Sequence, residues 1–311
     1  MNAKQYTGNI GEVFYEGSSK NLRHCDEKTM LFEFTDGFSA FDVGRCPQLI
    51  SGKGAAVCSA AVKSFLIAAS VGVKTHFIEQ VADNMIRVMR VNVITDRPIG
   101  TDETDFLFGR ELIRRYYVAG GLLRDMKAGK AKPMDYGFES NDVPAEGTML
   151  PWAVSEVTTK WEKEDRKVFG DEICAGTGFT PLDLQHHWDG IGRIDGAMAL
   201  AWYQAGFGLW DGKYEVGLVG PSRQPIILDV FGTQDENRPV SLDELAQGQV
   251  VHYGKEYLRQ YLIQLGYYDE VKTARAQGFA DPSYPTIPKW AIDEASYRYS
   301  HFAARYAAIA L

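Results

Sequence analysis

The sequence predicts an α+β fold in two parts: a β-rich part over residues 1–95, and a larger α/β part with C-terminal helices over residues 96–311. Short segments with alternating apolar residues fill most of the first part. Strands and capped helices then mix in the second part without the regular repeat of a βαβ fold. A chain of 311 residues, 45% of them hydrophobic, is long enough to bury a large core.

The N-terminal part begins with a predicted hairpin. Residues 12–16 and 29–35 alternate as strands do, and Gly17, Ser18 and Ser19 form the turn. Residues 95–110 contain a proline, two glycines and four acidic residues, and therefore predict a surface loop. The other predicted elements here are a helix from residue 53 to about residue 72 and strands over residues 75–79 and 85–94.

Two capping patterns predict helices in the second part. Thr180 caps a first turn and Pro181 suits the first helical position, so a helix should run to about residue 206. Ser241 and Glu244 have capping-box spacing, which predicts a helix reaching about residue 265. The other predicted elements are antiparallel strands over residues 214–219 and 225–230 and a last helix over residues 289–310, whose aromatic residues we interpret as packing.

The composition argues against several classes of protein. A net charge of −8 without a basic tract disfavours nucleic-acid binding. The N-terminus has no apolar segment of signal-peptide length, and polar residues interrupt the apolar run 55–73, so we expect an interior helix and no membrane span. The four cysteines form no CxxC pair, which disfavours zinc and suggests reduced thiols in the cytoplasm.

The turn Gly17-Ser18-Ser19 is a candidate phosphate site. Small residues let backbone N–H groups approach phosphate oxygens, and Lys20 directly afterwards adds a full positive charge. Most turns of this composition connect strands without binding phosphate, and no Walker A motif is present.

A second candidate is the strand that begins at Asp211. Lys213 and Glu215 alternate on it and share one face, and Asp229 on the next strand can come opposite them. Two carboxylates and a lysine suit Mg²⁺ and nucleotide phosphates. A solvated hairpin face with a cross-strand ion pair is the alternative.

The polar segment 233–238 follows the strand that carries Asp229. Asp235 lies within it, and Arg238 at its end has a guanidinium suited to a phosphate or carboxylate; a polar turn is the alternative. His186 and His187 point about 100° apart on a helix, which disfavours a shared metal. We interpret His76 as structural.

Taken in order, these motifs resemble the SAICAR synthetase (phosphoribosylaminoimidazole-succinocarboxamide synthase) family from near the start of the chain to about residue 240. The stretches that carry the resemblance are the loop with Lys20, TDGFSAFD, GKG, GVKTHF, ELIRRYYVAGG, SEVTTKWEKED, DGKYEVG and ILDVFGTQDENR.

The resemblance implies a β-rich nucleotide-binding part packed on a larger α/β part, and it implies the site residues. The implied ATP contacts are Gly17, Ser18, Ser19, Lys20 and Lys213, and the implied magnesium ligands are Glu215 and Asp229. The implied substrate contacts are Ser39, Asp42, Lys53, Arg115, Gly120, Lys160 and Arg238. The implied catalytic residues are Lys213, Asp211 and Asp235.

The substrate side departs from the family pattern. Gly121 replaces a serine, and Glu164-Asp165 stands where the family has His-Asp. Val230 and Gln234 replace a glutamate and a proline. Arg90 is an alternative to Arg115 for the family arginine.

The activity implied by the resemblance is an ATP- and Mg²⁺-dependent ligation. A ribosylated aminoimidazole carboxylate (CAIR) would be activated as an acyl phosphate and joined to L-aspartate, giving SAICAR in purine biosynthesis. A homodimer is implied by the resemblance alone, with the aromatic C-terminal helix as one candidate interface. Two alternatives stay open: a paralogous ligase for another carboxylate or amine, and a non-catalytic nucleotide-binding protein.

Overall fold

The first sheet of the computed structural model, which describes residues 8–162 and 165–311, has five antiparallel strands. Their order across the sheet is β1-β2-β3-β5-β4. The strands are β1 (Val13–Glu16), β2 (Lys20–His24), β3 (Thr29–Phe34), β4 (Phe77–Ala82) and β5 (Met85–Met89).

The predicted hairpin has a different second strand. β1 pairs with β2, so the turn at 17–19 leads directly into a strand, and β3 is the third strand rather than the second. The sequence prediction missed β2 because KNLRH contains one aliphatic residue and lacks clear alternation.

The second sheet has six strands in the order β12-β11-β7-β8-β9, with β6 paired beside β7 on β11. These strands are β6 (Phe106–Leu107), β7 (Arg110–Tyr117), β8 (Met149–Thr159), β9 (Lys167–Val168), β11 (Asp211–Val219) and β12 (Gln224–Leu228). The predicted surface loop 95–110 is therefore wrong at its end, because β6 lies there and the Phe106 and Phe108 side chains are buried. β11 and β12 pair antiparallel as predicted.

Seven helices lie in the described part of the chain. They are α1 (Lys53–Ser70), α2 (Gly120–Lys127), α3 (Pro181–Gln204), α4 (Leu242–Ala246), α5 (Lys255–Gln264), α6 (Tyr267–Ala276) and α7 (Lys289–Ala308). The Thr180 cap is confirmed, since its hydroxyl accepts from Asp183 N at 3.2 Å and the Asp183 carboxylate accepts from Thr180 N at 2.8 Å.

The single helix predicted from Ser241 is wrong. The Ser241 side chain makes no capping bond, and α4 ends before Gly248, whose φ of +78° favours glycine. A short sheet of β10 (Phe207–Leu209) and β13 (Pro239–Ser241) precedes α4, and α5 begins only at Lys255.

α1 lies at the centre of the fold, packed against α7, α3 and β3. It has the length and composition of a membrane-crossing helix, but 67% of it is buried inside the protein. Tyr299, Phe302 and Tyr306 of α7 are also buried, which confirms the packing interpretation for these three rings, whereas Tyr297 is exposed and the interpretation is wrong there.

One hydrophobic core joins both sheets. Residues 74–76 also connect them: Thr75 forms a parallel bridge to Ile227 of β12. The proposed division after residue 95 falls between the two sheets and stays a prediction.

Candidate active site

A cluster of alternating charges lies on one face of the second sheet. Lys213 and Glu215 share that face of β11, as their spacing predicts, and Glu111 on β7 lies beside them. Lys213 Nζ is 2.9 Å from Glu111 Oε1. Lys160, directly after β8, forms an ion pair with Glu215 and lies 3.9 Å from Glu111.

Asp229 completes this cluster from the end of β12. Its φ of +52° is left-handed, a conformation that is uncommon for non-glycine residues and clusters at functional sites. Its carboxylate forms an ion pair with Lys20, at the end of the glycine loop. The candidate phosphate site at the glycine loop and the candidate metal site around Asp229, which the sequence predicts separately, therefore meet between the two sheets.

The pKa values reflect burial and these partners. Burial and the neighbouring Asp229 carboxylate raise the pKa of Glu215 to about 7. Burial opposes ionisation of Asp229, but the Lys20 ammonium outweighs it and lowers the Asp229 pKa. Burial would lower the pKa of Lys213, yet the carboxylates of Glu236 and Glu111 raise it well above the ordinary value. Lys213 is therefore a permanent cation.

Two carboxylates are available for a divalent cation. Within residues 8–162 and 165–311 no group of three or more His, Cys, Asp or Glu side chains could hold a metal alone. Glu215 is buried, Asp229 is half-buried, and the Asp229 carboxylate is close enough to raise the pKa of Glu215. This pair matches the way Mg²⁺ is held by one or two carboxylates together with nucleotide phosphates.

A cleft of about 350 Å³ opens beside Lys213. Its wall is rich in charged side chains: Arg115, Arg124, Asp165, Asp211, Lys213, Asp235, Glu236, Arg238, Lys255, Glu256 and Arg259. Six of these eleven are cations, so the cleft suits an anionic ligand.

Carboxylates orient the two predicted arginines in this wall. Arg115 Nε donates to Glu156 at 2.7 Å, and its Nη1 lies 3.4 Å from Asp211 Oδ2. Arg238 pairs with the same Asp211 and, at 3.2 Å, with Glu256. Such fixed guanidiniums are prepared for two-point binding of a phosphate.

Gly120 allows the close approach of Arg238. Its φ is +52°, and a Cβ atom built there would lie 2.7 Å from Arg238 Cζ. Only glycine fits this position without displacing the guanidinium. Arg90, the alternative family arginine, is exposed outside the cleft, and its backbone N–H donates to Lys28 O, directly before β3.

The position of Lys53 differs from the one expected for a substrate contact. Its side chain is 1% exposed, and its Nζ bonds to Asp235 Oδ2 at 2.6 Å. Tyr299 Oη donates to the other Asp235 oxygen at 2.6 Å. Lys53 therefore lies beneath the cleft wall and holds Asp235, because an unpaired ammonium is not stable in that interior.

The remaining predicted residues lie at the edge of the cluster. Ser39 Oγ is 3.1 Å from Ser18 Oγ, so the segment 35–42 lies against the glycine loop. Asp42 is exposed. Burial, helped by the nearby carboxylates of Glu111 and Asp42, raises the pKa of Asp165 to about 6. Glu164 lies outside the described residues.

Sequence reasoning missed three cations of the cleft: Arg124, Lys255 and Arg259. Arg124 lies four residues after Gly120 on α2, and Lys255 and Arg259 are four residues apart on α5. Helical spacing therefore places Arg124 on the same face of α2 as Gly120, and Lys255 and Arg259 on one face of α5. Nothing in the sequence alone directs α5 to this cleft.

Comparison with known proteins identifies the family. The SAICAR synthetase family model matches residues 13–274. The chain belongs to the SAICAR synthetase family. The phosphoribosylaminoimidazole-succinocarboxamide synthase of Thermoplasma acidophilum is 35% identical over 278 residues, which cover 89% of this chain and 92% of that protein.

Solved SAICAR synthetase structures share the fold. The enzyme from Saccharomyces cerevisiae complexed with SAICAR superposes with a TM-score of 0.70 at 17% identity, covering 99% of both chains. A SAICAR synthetase in complex with ADP gives a TM-score of 0.63 at 20% identity, covering 88% of this chain and all of that one.

The predicted α+β fold and the predicted family are confirmed by these comparisons. The prediction of an ATP-dependent ligase that joins CAIR to L-aspartate in purine biosynthesis is confirmed as the activity of this family. The roles of individual residues stay predictions.

Proposed function

We propose that this protein activates the CAIR carboxylate at Lys213, where the charged cluster meets the cleft. The observation that carries this proposal is the position of Lys213. Its Nζ contacts Glu111 in the cluster and Glu236, at 3.2 Å, in the cleft wall. A phosphoryl group that passes between the two regions would therefore travel past a permanent cation.

The nucleotide side consists of the glycine loop with Lys20 and the two carboxylates Glu215 and Asp229. The loop's small residues leave room for ATP phosphates, and Lys20 would exchange its Asp229 partner for phosphate oxygens. The two carboxylates would hold Mg²⁺, which neutralises phosphate charge during transfer. Binding of ADP by a structural relative supports nucleotide binding by this fold.

The acceptor side is the arginine-rich cleft. Arg115 and Arg238 would bind the ribose phosphate of CAIR, and Arg124 and Arg259 line the same cleft. Asp211 touches both Arg115 and Arg238, and we therefore assign it to orienting them rather than to proton transfer. Lys160, held between Glu215 and Glu111, would face the transferred phosphoryl group.

The chemistry requires activation, because an amine cannot displace oxide from a carboxylate. A CAIR carboxylate oxygen takes the γ-phosphoryl group and ADP leaves. The aspartate amine then attacks the acyl carbon, loses a proton, and phosphate departs. The protein contributes positioning and charge neutralisation, for which the six cations of the cleft wall are suited.

The test is ADP release with Mg-ATP, CAIR and aspartate, each omitted in turn. Release that needs all three, with SAICAR identified by mass, supports the proposal. Tight Mg-ATP binding without release under these conditions would mean that the cleft serves another carboxylate or amine. Asp229→Asn should abolish turnover with the fold intact; full activity in that variant would refute the metal assignment.

We also propose a cytoplasmic enzyme, as its buried thiols Cys46 and Cys58 form no disulfide. A homodimer is proposed from the family resemblance alone, and light scattering would test it.

A further inference from the structure

His76 lies where the two sheets are joined. Its backbone N–H donates to Ile227 O of β12 at 3.1 Å, and its carbonyl accepts from Met89 N at the end of β5, at 2.8 Å. One residue thus connects the sheet that carries Lys20 to the strand that leads into Asp229. Those are the two residues that close the candidate metal and phosphate cluster.

The His76 side chain reaches Asp229 itself. Its ring is 3% exposed, with the rings of Phe32 and Phe65 at 5.4 and 5.9 Å. Its Nε2 lies 3.0 Å from the Asp229 carbonyl oxygen. A carbonyl oxygen can only accept, so Nε2 carries the proton and donates.

This hydrogen bond acts on an unusual backbone. Asp229 has a φ of +52°, a conformation that is unfavourable for a residue with a side chain unless its surroundings hold it. Fixing the carbonyl fixes the peptide plane after Asp229. Holding that peptide plane restrains the backbone from which the Asp229 carboxylate extends to its ion pair with Lys20.

We propose that His76 is a positioning residue for the magnesium–nucleotide site, which holds the Asp229 backbone through its Nε2–H and sets the spacing between the two sheets. This inference rests on the proposed role of Asp229 as a metal ligand. Outer-shell partners of this kind act on the metal by orienting its ligand.

A matched pair of variants tests the hydrogen bond. In His76→Gln the amide nitrogen is three bonds from Cβ, as is Nε2 of histidine, so the donor is kept. In His76→Asn the amide is one bond shorter and cannot reach. Calorimetry would measure ADP binding with and without Mg²⁺, which does not depend on turnover.

We expect His76→Asn to weaken Mg-ADP binding by about 10- to 100-fold, the usual effect of losing an outer-shell partner. Binding of ADP without metal should stay within about twofold, and His76→Gln should recover most of the loss. Equal Mg-ADP affinity of the two variants would overturn the inference, whether both are normal or both are weak.

Two controls separate the remaining explanations. His187 is 1% exposed, and its Nε2 lies 3.0 Å from Gly217 O on β11, so His187→Asn removes a comparable buried contact away from Asp229. We expect it to lower Tm and leave Mg-ADP affinity unchanged; a loss equal to that of His76→Asn would reduce His76 to a structural role. Asp229→Asn with unchanged Mg-ADP affinity would instead refute the metal assignment itself.

Discussion

Replacing Gly120 by alanine would test whether the close packing of this residue holds Arg238 in its binding position. The substitution has two effects. It places a Cβ atom on a backbone with φ of +52°, and that atom would lie 2.7 Å from Arg238 Cζ. Carbon atoms in contact are normally about 3.5–4.0 Å apart, so the guanidinium must move by about 1 Å.

The two effects differ in size and in what they change. A left-handed φ costs alanine about 1–2 kcal/mol, and the lower entropy of the unfolded chain offsets about 0.4–1 kcal/mol of that cost. The net loss of about 1 kcal/mol should lower Tm by roughly 2 °C. Displacing Arg238 weakens a charge-assisted hydrogen bond of about 1.5–3 kcal/mol to the substrate phosphate, which raises the KM for CAIR about 10- to 150-fold.

Gly129→Ala is the matched control. Gly129 has a φ of +69°, and a Cβ atom there would meet nothing within 4 Å. Initial rates of ADP release would give the KM for CAIR and for ATP, and thermal melts would give Tm. We expect both variants to lose stability, and only Gly120→Ala to raise the KM for CAIR, with the KM for ATP unchanged. A KM for CAIR within twofold of the parent in Gly120→Ala would refute this reasoning.

Three further predictions follow from buried charges and glycine geometry. Lys53→Met leaves the Asp235 carboxylate without its buried partner and should lower the free energy of unfolding by about 3–5 kcal/mol in urea; a loss below about 1 kcal/mol would contradict it. Burial raises the pKa of Asp195 to about 6, above the 3.8 of an ordinary aspartate. Because the folded state therefore binds the proton more tightly than the unfolded state, the free energy of unfolding should fall as the pH rises from about 4 to about 6. Asp195→Asn should remove that fall of about 1–3 kcal/mol, and an equal fall in both proteins would exclude Asp195 as its source. A Cβ atom at Gly121 would lie 3.7 Å from Arg124 Nη2, an ordinary contact distance, so the Gly121→Ser variant should fold normally. Its added hydroxyl should donate to the substrate phosphate and lower the KM for CAIR about threefold to tenfold. A raised KM for CAIR would show that the phosphate binds elsewhere.

Local sequence patterns were sufficient for the elements whose signals are local. The Thr180 cap, the long apolar helix α1 and the alternation of Lys213 and Glu215 on β11 depend on neighbours a few residues apart. The order of the motifs along the chain was sufficient for the family, because a series of matches is far more specific than any single turn.

The errors arose where the local signal is weak. β2 has few apolar residues. The helix predicted from Ser241 is interrupted at Gly248, which has a left-handed φ, and Ser241 itself belongs to strand β13. A capping-box spacing does not require the capping hydrogen bonds to form, since surrounding contacts can place the serine elsewhere.

The amino-acid sequence by itself determined the family, the α+β class and the residue types that the chemistry needs. Only the tertiary structure decided which of those residues meet. Lys20 and Asp229 are 209 positions apart, and Lys53 and Asp235 are 182 apart. No periodicity spans such distances, so the buried role of Lys53, the cations that α5 brings to the cleft and the His76 bond to Asp229 depend on how the core packs the two sheets together.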